Sequence, residues 1–431
     1  MAQLLGRVAE RLGAMGRGRG RQPQASALTA LDVGTEFAKA LIVGLEPGEQ
    51  GGVHGVVRGV GRQRQGLTHM QSGTVADIDA VVANCAAALS EAEASAGMKP
   101  TAAVIGIAGE LVKGTTSTVT HQRHDPRAPL SEEELQRIVQ RVQDQALRDA
   151  ERRIGWESGI ERLDVRLVHA AIVEIKIDGY AVSNPIGFTG SHLELAIFNA
   201  FAPMVHLGAL QSVAHALGLD LMGVIAEPYA VATCLDPGEV GDAGAVFIDV
   251  GGGTTDVALV RHGGIAGTKM LSLGGRAFTK GVAERFNLPF SRAEAVKLGE
   301  LPESVSRADL DAALASDAAI WLRGIGLMIG DLAEGELLPG RLYLCGGGAE
   351  LRQIGEALAG DEWWHALPFA RRPEVIALNP GDVTGLRDGT QRLTTRQDVT
   401  PMALAHQALI LDAQATAVER AMRRAVRAMN L

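Results

Sequence analysis

The chain has 431 residues, a length that corresponds to two or three domains of ordinary size. Apolar residues make up 46% and charged residues 21%, which excludes a disordered protein. The three cysteines are far apart and form no CxxC pair, which argues against a disulfide framework or a thiolate zinc site and fits a reducing cytoplasm. No uninterrupted apolar run approaches the roughly 18 residues that a membrane-spanning helix needs.

The net charge of −9 combines two basic ends with an acidic body. Residues 1–24 carry five Arg and one Glu, and residues 417–431 carry four Arg and one Glu. An acidic body argues against nucleic-acid binding, because contacts to phosphates need a basic protein face. The basic ends are suited to an anionic membrane surface.

In chain order, residues 1–24 predict a short apolar helix followed by a Gly/Arg linker. A strand, a turn and a second strand follow, ALTALDVG and FAKALIVGLE, with Asp32 and Gly34 at the turn. The apolar spacing predicts a helix over 75–97 and a buried strand over 102–109. A charged helix is predicted over 130–153, with Ser131 and Glu134 as its capping box.

The opening pattern returns in the second half of the chain. GAVFIDVGGGTTDVALVRHG is again a strand that ends in Asp-Val-Gly, a glycine turn and a return strand. Its Asp249 lies 217 residues after Asp32. A repeated element of this kind predicts two similar α/β halves that face each other across a cleft. A third glycine cluster, Gly346 to Gly348, follows another short apolar strand.

Glycine turns after an aspartate are suited to nucleotide binding. Bare backbone amides can surround phosphate oxygens, and a carboxylate can hold Mg²⁺ through water molecules. Two such turns from opposed halves would hold a polyphosphate from both sides, and the third would accept adenosine. Neither a GK[ST] sequence nor a GxGxxG fingerprint is present, so this is an ATP site of a different type. The candidate residues are Asp32, Gly34, Thr35, Lys39, Asp249, Gly251, Gly252, Gly253, Thr254, Thr255, Gly346, Gly347 and Gly348.

Glu227 has two interpretations. It precedes Pro228 at the expected start of a helix, where an exposed carboxylate is common. It could equally orient a water molecule or act as a base in the cleft.

These motifs resemble those of the actin-fold ATPase superfamily. LDVGTEFAKALIVG is similar to its first phosphate motif, FIDVGGGTTDVALV to its second and LCGGGAEL to its adenosine motif. AEPYAVA resembles the connecting segment, and this implies that Glu227 orients the attacking water. Glu294 and Lys297, in AEAVKL, resemble residues that contact ribose or base. A slow Mg-dependent ATPase activity is compatible with this resemblance and is left open.

Within the superfamily the chain resembles the bacterial cell-division family FtsA. GIAGELVKG, SEEELQRIVQRV and YAVSNPIGFTG are similar to the small inserted subdomain by which FtsA and its pilus relative PilM differ from actin. The resemblance implies a two-lobed actin-like (ribonuclease H-like) α/β fold with an inserted α+β subdomain. The expected parts are a basic segment and linker (1–24), lobe 1 (25–103 plus 187–243), the inserted subdomain (104–186), lobe 2 (244–280 plus 320–410), a small adenosine-side subdomain (281–319) and a basic amphipathic helix (411–431).

The resemblance implies a cytoskeletal adaptor more than a metabolic enzyme. The expected protein binds ATP and Mg²⁺, self-associates at the inner face of the cytoplasmic membrane and tethers a division-ring partner such as the tubulin-like FtsZ. Only 48 residues separate Lys297 from Gly346, however, which is short for the subdomain that receives FtsZ. A PilM-like adaptor of a pilus or secretion machine and a metabolic kinase of the same superfamily are the alternatives.

The C-terminal residues predict a basic amphipathic helix. At 100° per residue, the apolar side chains fall within about 60° of arc and the arginines lie opposite. Such a helix would lie in the interface of an anionic bilayer. The alternative is a solvated helix that docks on the body through its Met and Val side chains. The residues assigned to the membrane are Val418, Met422, Met429, Arg420, Arg423, Arg424 and Arg427. The segment before the first strand could be a second weak anchor or a flexible start.

Overall fold

The computed structural model describes residues 27–47, 53–159, 163–360 and 362–412, together with residues 422, 424 and 426. The basic segment 1–24 lies outside the described residues, as do Val418, Arg420, Arg423, Arg427 and Met429. The predictions made for these positions therefore remain predictions.

The described residues form strands and helices that alternate along most of the chain. The strands are β1 (Ala27–Val33), β2 (Phe37–Pro47), β3 (Val53–Arg64), β4 (Met70–Gln71), β5 (Thr74–Val75), β6 (Ala102–Ile107), β7 (Lys113–Gln122), β8 (Val165–Ile177), β9 (Tyr180–Ala181), β10 (His192–Pro203), β11 (Asp220–Ala226), β12 (Ala245–Val250), β13 (Thr255–Arg261), β14 (Gly264–Leu271), β15 (Arg341–Cys345), β16 (Glu374–Ala377) and β17 (Leu386–Asp388). The helices are α1 (Ile78–Ala96), α2 (Glu132–Ser158), α3 (Met204–Ala216), α4 (Glu227–Ala232), α5 (Pro237–Val240), α6 (Gly275–Phe286), α7 (Phe290–Lys297), α8 (Arg307–Ala333), α9 (Arg352–Leu358) and α10 (Val399–Asp412).

Lobe 1 is built on a six-stranded sheet in the order β11-β6-β1-β2-β3-β17. β1 and β2 form the first expected hairpin, antiparallel from Ala27 opposite Gly44 to Val33 opposite Ala38. Helix α10 covers this sheet, and its residues from Val399 to Gln407 are buried without exception. β17 lies late in the chain and pairs with β3, so lobe 1 is completed only when β17 and α10 fold back on it.

Lobe 2 carries the second hairpin, β12 and β13, in a nine-stranded sheet in the order β16-β15-β12-β13-β14-β7-β10-β8-β9. Side chains of β12 alternate between the two faces of this sheet. Phe247 joins the core shared with lobe 1, whereas Val246 and Ile248 join a second core under α6, α8 and α9. β12 is therefore buried on both faces, which explains its nearly continuous apolar sequence.

The structure changes two of the expected domain boundaries. β10 pairs with β7 and β8, so the inserted unit runs to Pro203. Residues 187–203 were expected in lobe 1, but they do not belong to its sheet. β6, in contrast, lies between β1 and β11 in lobe 1, and the inserted unit begins after Ile107. β7 also pairs with β14, so the inserted unit extends the sheet of lobe 2.

The expected small subdomain at 281–319 has no core of its own among the described residues. Val282, Val296 and Leu310 are buried in the same cluster as Ile248 of β12. Helices α6 and α7 and the start of α8 therefore pack as part of lobe 2. These helices pack on lobe 2 because a segment of this length buries too little apolar surface to form a stable core by itself.

Helix α8 is long and apolar enough to cross a membrane, and 39% of its most apolar window is buried inside the protein. Trp321 and Ile325 of this helix are buried in the lobe 2 core, and the Trp321 Nε1 donates a hydrogen bond of 2.9 Å to the Thr255 Oγ1. α8 is a core helix of lobe 2.

Helix α2 covers the sheet of the inserted unit. The Ser131 Oγ accepts a hydrogen bond of 3.2 Å from the Glu134 backbone amide, so half of the expected capping box is present. The other half was wrong, because the Glu134 carboxylate instead pairs with Arg123 through two bonds of 2.9 Å. Arg123 is almost fully buried, and a buried guanidinium requires such a partner.

Close packing of α1 on β3 makes glycine necessary at position 61. A Cβ atom there would lie 1.8 Å from the Ala88 carbonyl oxygen. We expect Gly61→Ala to lower the free energy of unfolding by about 2 kcal/mol, since the helix must move away from the sheet. Gly326→Ala is the matched control, because no atom lies within 4 Å of the added Cβ. Urea unfolding midpoints measure both, and equal midpoints would contradict the packing described.

Candidate functional site

The two hairpin turns meet at the junction between the lobes. The Gly34 amide donates to the Phe37 carbonyl at 3.1 Å, and the Gly251 amide to the Thr254 carbonyl at 2.8 Å. A Cβ at Gly252 would lie 2.8 Å from the Glu36 Cβ, and one at Gly253 would lie 2.8 Å from Thr35. The turns are thus in direct contact, and only glycine allows this approach.

The third turn packs on the end of β12. Gly346 has a φ of 89°, and a Cβ there would lie 2.2 Å from the Asp249 Oδ1. A Cβ at Gly348 would lie 2.5 Å from the Val250 Cγ1. The second turn and the end of β12 therefore contact both of the other glycine turns singled out in the sequence. Gly347 is less restricted, since its nearest neighbour is the Gln397 side chain at 3.4 Å from the added Cβ.

Asp32 and Asp249 are both held by specific partners. The Lys39 Nζ lies 3.1 Å from the Asp32 Oδ2 and donates a second bond of 2.6 Å to the Gln397 carbonyl. The Thr400 Oγ1 donates a bond of 2.5 Å to the Asp249 Oδ2. Both partners outside the hairpins come from the segment around the start of α10. This segment gave no signal in the sequence, because Gln and Thr carry no recognisable motif there.

Glu227 joins this group from the start of α4. Gly106 of β6 makes room for it, since a Cβ at Gly106 would lie 2.5 Å from the Glu227 Oε1. Burial raises the pKa of Glu227 well above its ordinary value. The carboxylates of Asp32, Asp256 and Asp249 raise this pKa further, and the Lys39 ammonium opposes them. Of the two interpretations, the structure places Glu227 in the carboxylate cluster and not on the exposed surface.

Asp256 was missed in the sequence. It follows the second turn, on β13. The one signal for it in the sequence was its spacing of two residues from Thr254, which places both side chains on the same face of an extended chain. Burial, reinforced by the Asp249 carboxylate, raises the pKa of Asp256 to about 8. Burial is also the main cause of the raised pKa of Asp249. Four carboxyl groups and one ammonium group therefore share the junction between the lobes. In the part of the chain that the structure describes, no three His, Cys, Asp or Glu side chains form a group that could hold a metal ion.

Thr255 does not face this junction. Its hydroxyl donates a bond of 2.6 Å to the Leu273 carbonyl and accepts one from Trp321. The expectation that Thr255 supplies a donor to phosphate is therefore wrong, because the alternation of β13 directs its side chain into the core. Thr254 lies on the other side, with its hydroxyl 3.5 Å from the Asp256 carboxylate.

Glu294 and Lys297 lie behind the second turn. The Lys297 Nζ is 2.8 Å from the Glu294 Oε2 and donates to the Gly275 carbonyl at 3.0 Å. The Gly275 amide in turn donates to the Gly251 carbonyl at 2.9 Å. The two side chains are thus close to the glycine turns, and they are paired with each other.

Arg276 is a further residue that the sequence did not single out. It begins helix α6 in lobe 2 and reaches the first turn of lobe 1. Its Nε lies 2.8 Å from the Glu36 Oε2, and its Nη2 donates a bond of 2.7 Å to the Thr35 carbonyl. The Gly-Gly-Arg sequence at the helix start was the only available signal. Arg276 links the two lobes at the point where their turns touch.

At the C-terminus, Met422 is buried beside α2, with only 4% of its surface exposed. Val426 packs in a neighbouring cluster. The Arg424 Nη1 donates a bond of 3.2 Å to the Gln136 Oε1. Of the two interpretations of the C-terminal residues, docking on the body through Met and Val side chains agrees with the positions of these three residues in the structure.

Known proteins match the chain in both sequence and fold. The family model described as "Cell division protein FtsA" matches residues 246–423. Cell division protein FtsA of Neisseria meningitidis serogroup B is 25% identical over 273 residues, which are 63% of this chain and 60% of that protein. The Pseudomonas aeruginosa protein of the same name is 24% identical over 272 residues, with the same coverage. The chain thus spans about 60% of the length of these curated relatives.

Among solved structures, a "PilM-PilN type IV pilus biogenesis complex" matches with a TM-score of 0.64 and 17% identity, over 90% of this chain and 99% of that chain. Two α/β lobes joined at their glycine turns, with this match, define an actin-like fold, as predicted. Within that class, the sequence is similar to the cell division protein FtsA over residues 246–423 and over about 60% of the length of its curated relatives.

The carboxyl cluster makes stability depend on pH. The folded protein holds the Asp256 proton up to about pH 8, whereas the unfolded chain releases it near pH 4. The unfolding free energy therefore decreases as pH rises between these values. Asp256→Asn removes this titration, so we expect the variant to gain stability over the wild type as pH rises from 5 to 8. Thermal melts at the two pH values measure it, with exposed Asp242→Asn as the control. A constant difference between variant and wild type would contradict the assignment.

Proposed function

We propose that this FtsA-like protein acts in bacterial cell division, binds ATP with Mg²⁺ between its lobes, and self-associates at the inner face of the cytoplasmic membrane to tether a division-ring partner. The observation that supports this most strongly is that the first and third glycine turns both pack against β12 and the turn that follows it, at the junction of the lobes. The proposed partner is a tubulin-like FtsZ protein. The proposed role in cell division is supported by the similarity to the FtsA relatives, which the chain matches over part of their length.

The proposed nucleotide site uses the residues at the turns. In the turns at 34–36 and 251–254, the Gly34 and Gly251 amides hold the turns closed. The other backbone amides, with the hydroxyls of Thr35 and Thr254, would bind phosphate oxygens. Lys39 would exchange its bond to Asp32 for a phosphate. The 346–348 turn would accept adenosine, and Glu294 and Lys297 would contact ribose or base once their mutual pair opens. Because the turns touch, a triphosphate between them requires the lobes to separate there.

Mg²⁺ fits the chemistry of this junction. Burial raises the pKa of Glu227, and the carboxylates of Asp32, Asp256 and Asp249 raise it further, so negative charge is concentrated at this junction. These carboxylates would hold a divalent cation through water, and the cation would supply positive charge that offsets theirs. Asp32 and Asp249 are the proposed outer ligands. Glu227 would orient the attacking water if hydrolysis occurs.

ATP would then act by shifting the population of lobe arrangements. Arg276 holds the first turn of lobe 1 through Glu36 and the Thr35 carbonyl. Entry of a triphosphate must loosen these bonds, and the bound nucleotide would replace them with its own contacts to both turns. A ligand shifts an equilibrium only by its differential affinity for the two states. The nucleotide-bound arrangement is the one proposed to self-associate.

We expect Asp249→Ala to weaken binding of Mg·ATP by tenfold or more, since residues that orient metal-bound groups typically contribute about 10–100-fold in affinity. Titration calorimetry with and without Mg²⁺ measures this. Asp242→Ala is the matched control on the exposed surface. The ligand-free variant should melt no lower than the wild type, because it loses a carboxylate whose pKa is raised by burial. Wild-type affinity in Asp249→Ala would refute the site.

The proposed membrane attachment uses the basic C-terminal residues. We expect deletion of residues 417–431 to reduce sedimentation with phosphatidylglycerol vesicles, because four arginines leave with the segment. Added salt should reduce binding of the full chain in the same way. Vesicles of phosphatidylcholine alone serve as the control. Equal sedimentation of the full and shortened chains would contradict this attachment.

A PilM-like adaptor of a pilus or secretion machine is the second candidate. The fold match to the PilM-PilN complex over 90% of this chain favours it. Co-sedimentation with FtsZ filaments separates the two candidates. An FtsZ-tethering protein should pellet with the filaments, whereas a PilM-like adaptor should stay in the supernatant.

A further inference from the structure

The three described residues of the C-terminal segment, Met422, Arg424 and Val426, contact the inserted unit. Met422 is buried in a cluster that includes Ile138 and Val142 of α2 and Ile175 of β8. Val426, one helical turn later, packs in the next cluster, with Ala146 and Ala150 of α2 among its members. Met422 and Val426, four residues apart, thus pack against successive turns of α2. We call this surface of α2, centred on Gln143, the α2 groove.

Charge favours the same occupant. The first turn of α2 carries Glu132 and Glu133 besides Glu134, which is paired with Arg123. Arg424 is one of the charges that act on Glu133, and residues 417–431 are basic. Arg424 donates to Gln136 on the second turn of this helix. A basic amphipathic segment is therefore complementary to the α2 groove in both its apolar and its charged side chains.

The α2 groove also contains a buried polar side chain, Gln143, that is not fully hydrogen-bonded among the described residues. Gln143 is fully buried, and its Nε2 lies 3.9 Å from the Met422 Sδ. Its Oε1 has no hydrogen-bond partner within the described ranges. A buried amide oxygen without a partner is costly, and water would satisfy it as soon as the segment left. Docking therefore combines favourable burial of Met422 and Val426 with an unfavourable polar group, which makes it reversible.

We propose that the α2 groove is a docking site for the chain's own C-terminal segment, and that docking competes with insertion of the same segment into an anionic membrane. Met422 belongs to the apolar face that would enter the bilayer, and it is buried against α2 when docked. One side chain cannot occupy both places. This inference rests on the membrane attachment proposed above, and it adds that the fraction of attached protein is set by the groove.

The test changes the groove and leaves the segment intact. Gln143→Leu removes the unsatisfied amide and should strengthen docking, whereas Gln143→Arg places a charge under Met422 and should weaken it. Gln145→Leu and Gln145→Arg are the matched controls, because Gln145 is exposed on the same helix.

Docking is read from a thiol reporter, independently of any membrane. Cys85, Cys234 and Cys345 are buried, and burial raises the pKa of the first two thiols to about 12, so a cysteine introduced by Met422→Cys should react selectively with maleimide. We expect Gln143→Leu to slow labelling by roughly fivefold or more and Gln143→Arg to accelerate it by a similar factor. Labelling in urea gives the rate of the undocked residue.

Membrane binding is then measured for the same groove variants with Met422 restored, using phosphatidylglycerol vesicles. Gln143→Leu should lower the sedimented fraction and Gln143→Arg should raise it. Labelling as fast as in urea, or insensitive to residue 143, would overturn docking even if the wild type sediments. Labelling that follows residue 143 without any sedimentation of the wild type would refute membrane attachment, and with it the competition, while docking itself would stand.

Discussion

The contact between the two glycine turns fixes how the lobes meet. Gly252 lies against Glu36 and Gly253 against Thr35, at distances that no larger residue would permit. The strands behind these turns carry the aspartates, so the same approach brings Asp32 and Asp249 into one electrostatic group with Glu227. Arg276 then closes the junction from lobe 2. An interlobe site of this kind needs glycine for geometric reasons before any chemistry is considered.

The electrostatics of the junction follow from that geometry. Four carboxyl groups surround a single ammonium group, and burial raises the pKa of three of them. Such a group of acids is unfavourable in a protein that has only to be stable. It is favourable in a site that exchanges its own charge interactions for those of a bound cation and polyphosphate. The buried Gln143 beside Met422, in the inserted unit, is a second case in which an unfavourable group makes a contact reversible.

Much of this arrangement could be predicted from sequence because its signals are local. A strand that ends in Asp-Val-Gly fixes its own turn, and its repetition predicts two similar lobes, which the fold confirms. Contacts between distant segments gave no such signal. The Thr400 bond to Asp249, the Gln397 bond to Lys39 and the Arg276 bridge depend on how the chain folds back. The same reason explains why β10 lies in a different unit from the one expected. The case of Thr255 is local, because the alternation of its own strand directs its side chain into the core.

The most direct test of the central claim is a crystal structure of the protein with Mg²⁺ and a non-hydrolysable ATP analogue. The account predicts the triphosphate between the turns at 34–36 and 251–253, with the turns moved apart and the Arg276 bonds to Glu36 and Thr35 broken. A nucleotide bound elsewhere, with Gly252 still in contact with Glu36, would contradict it.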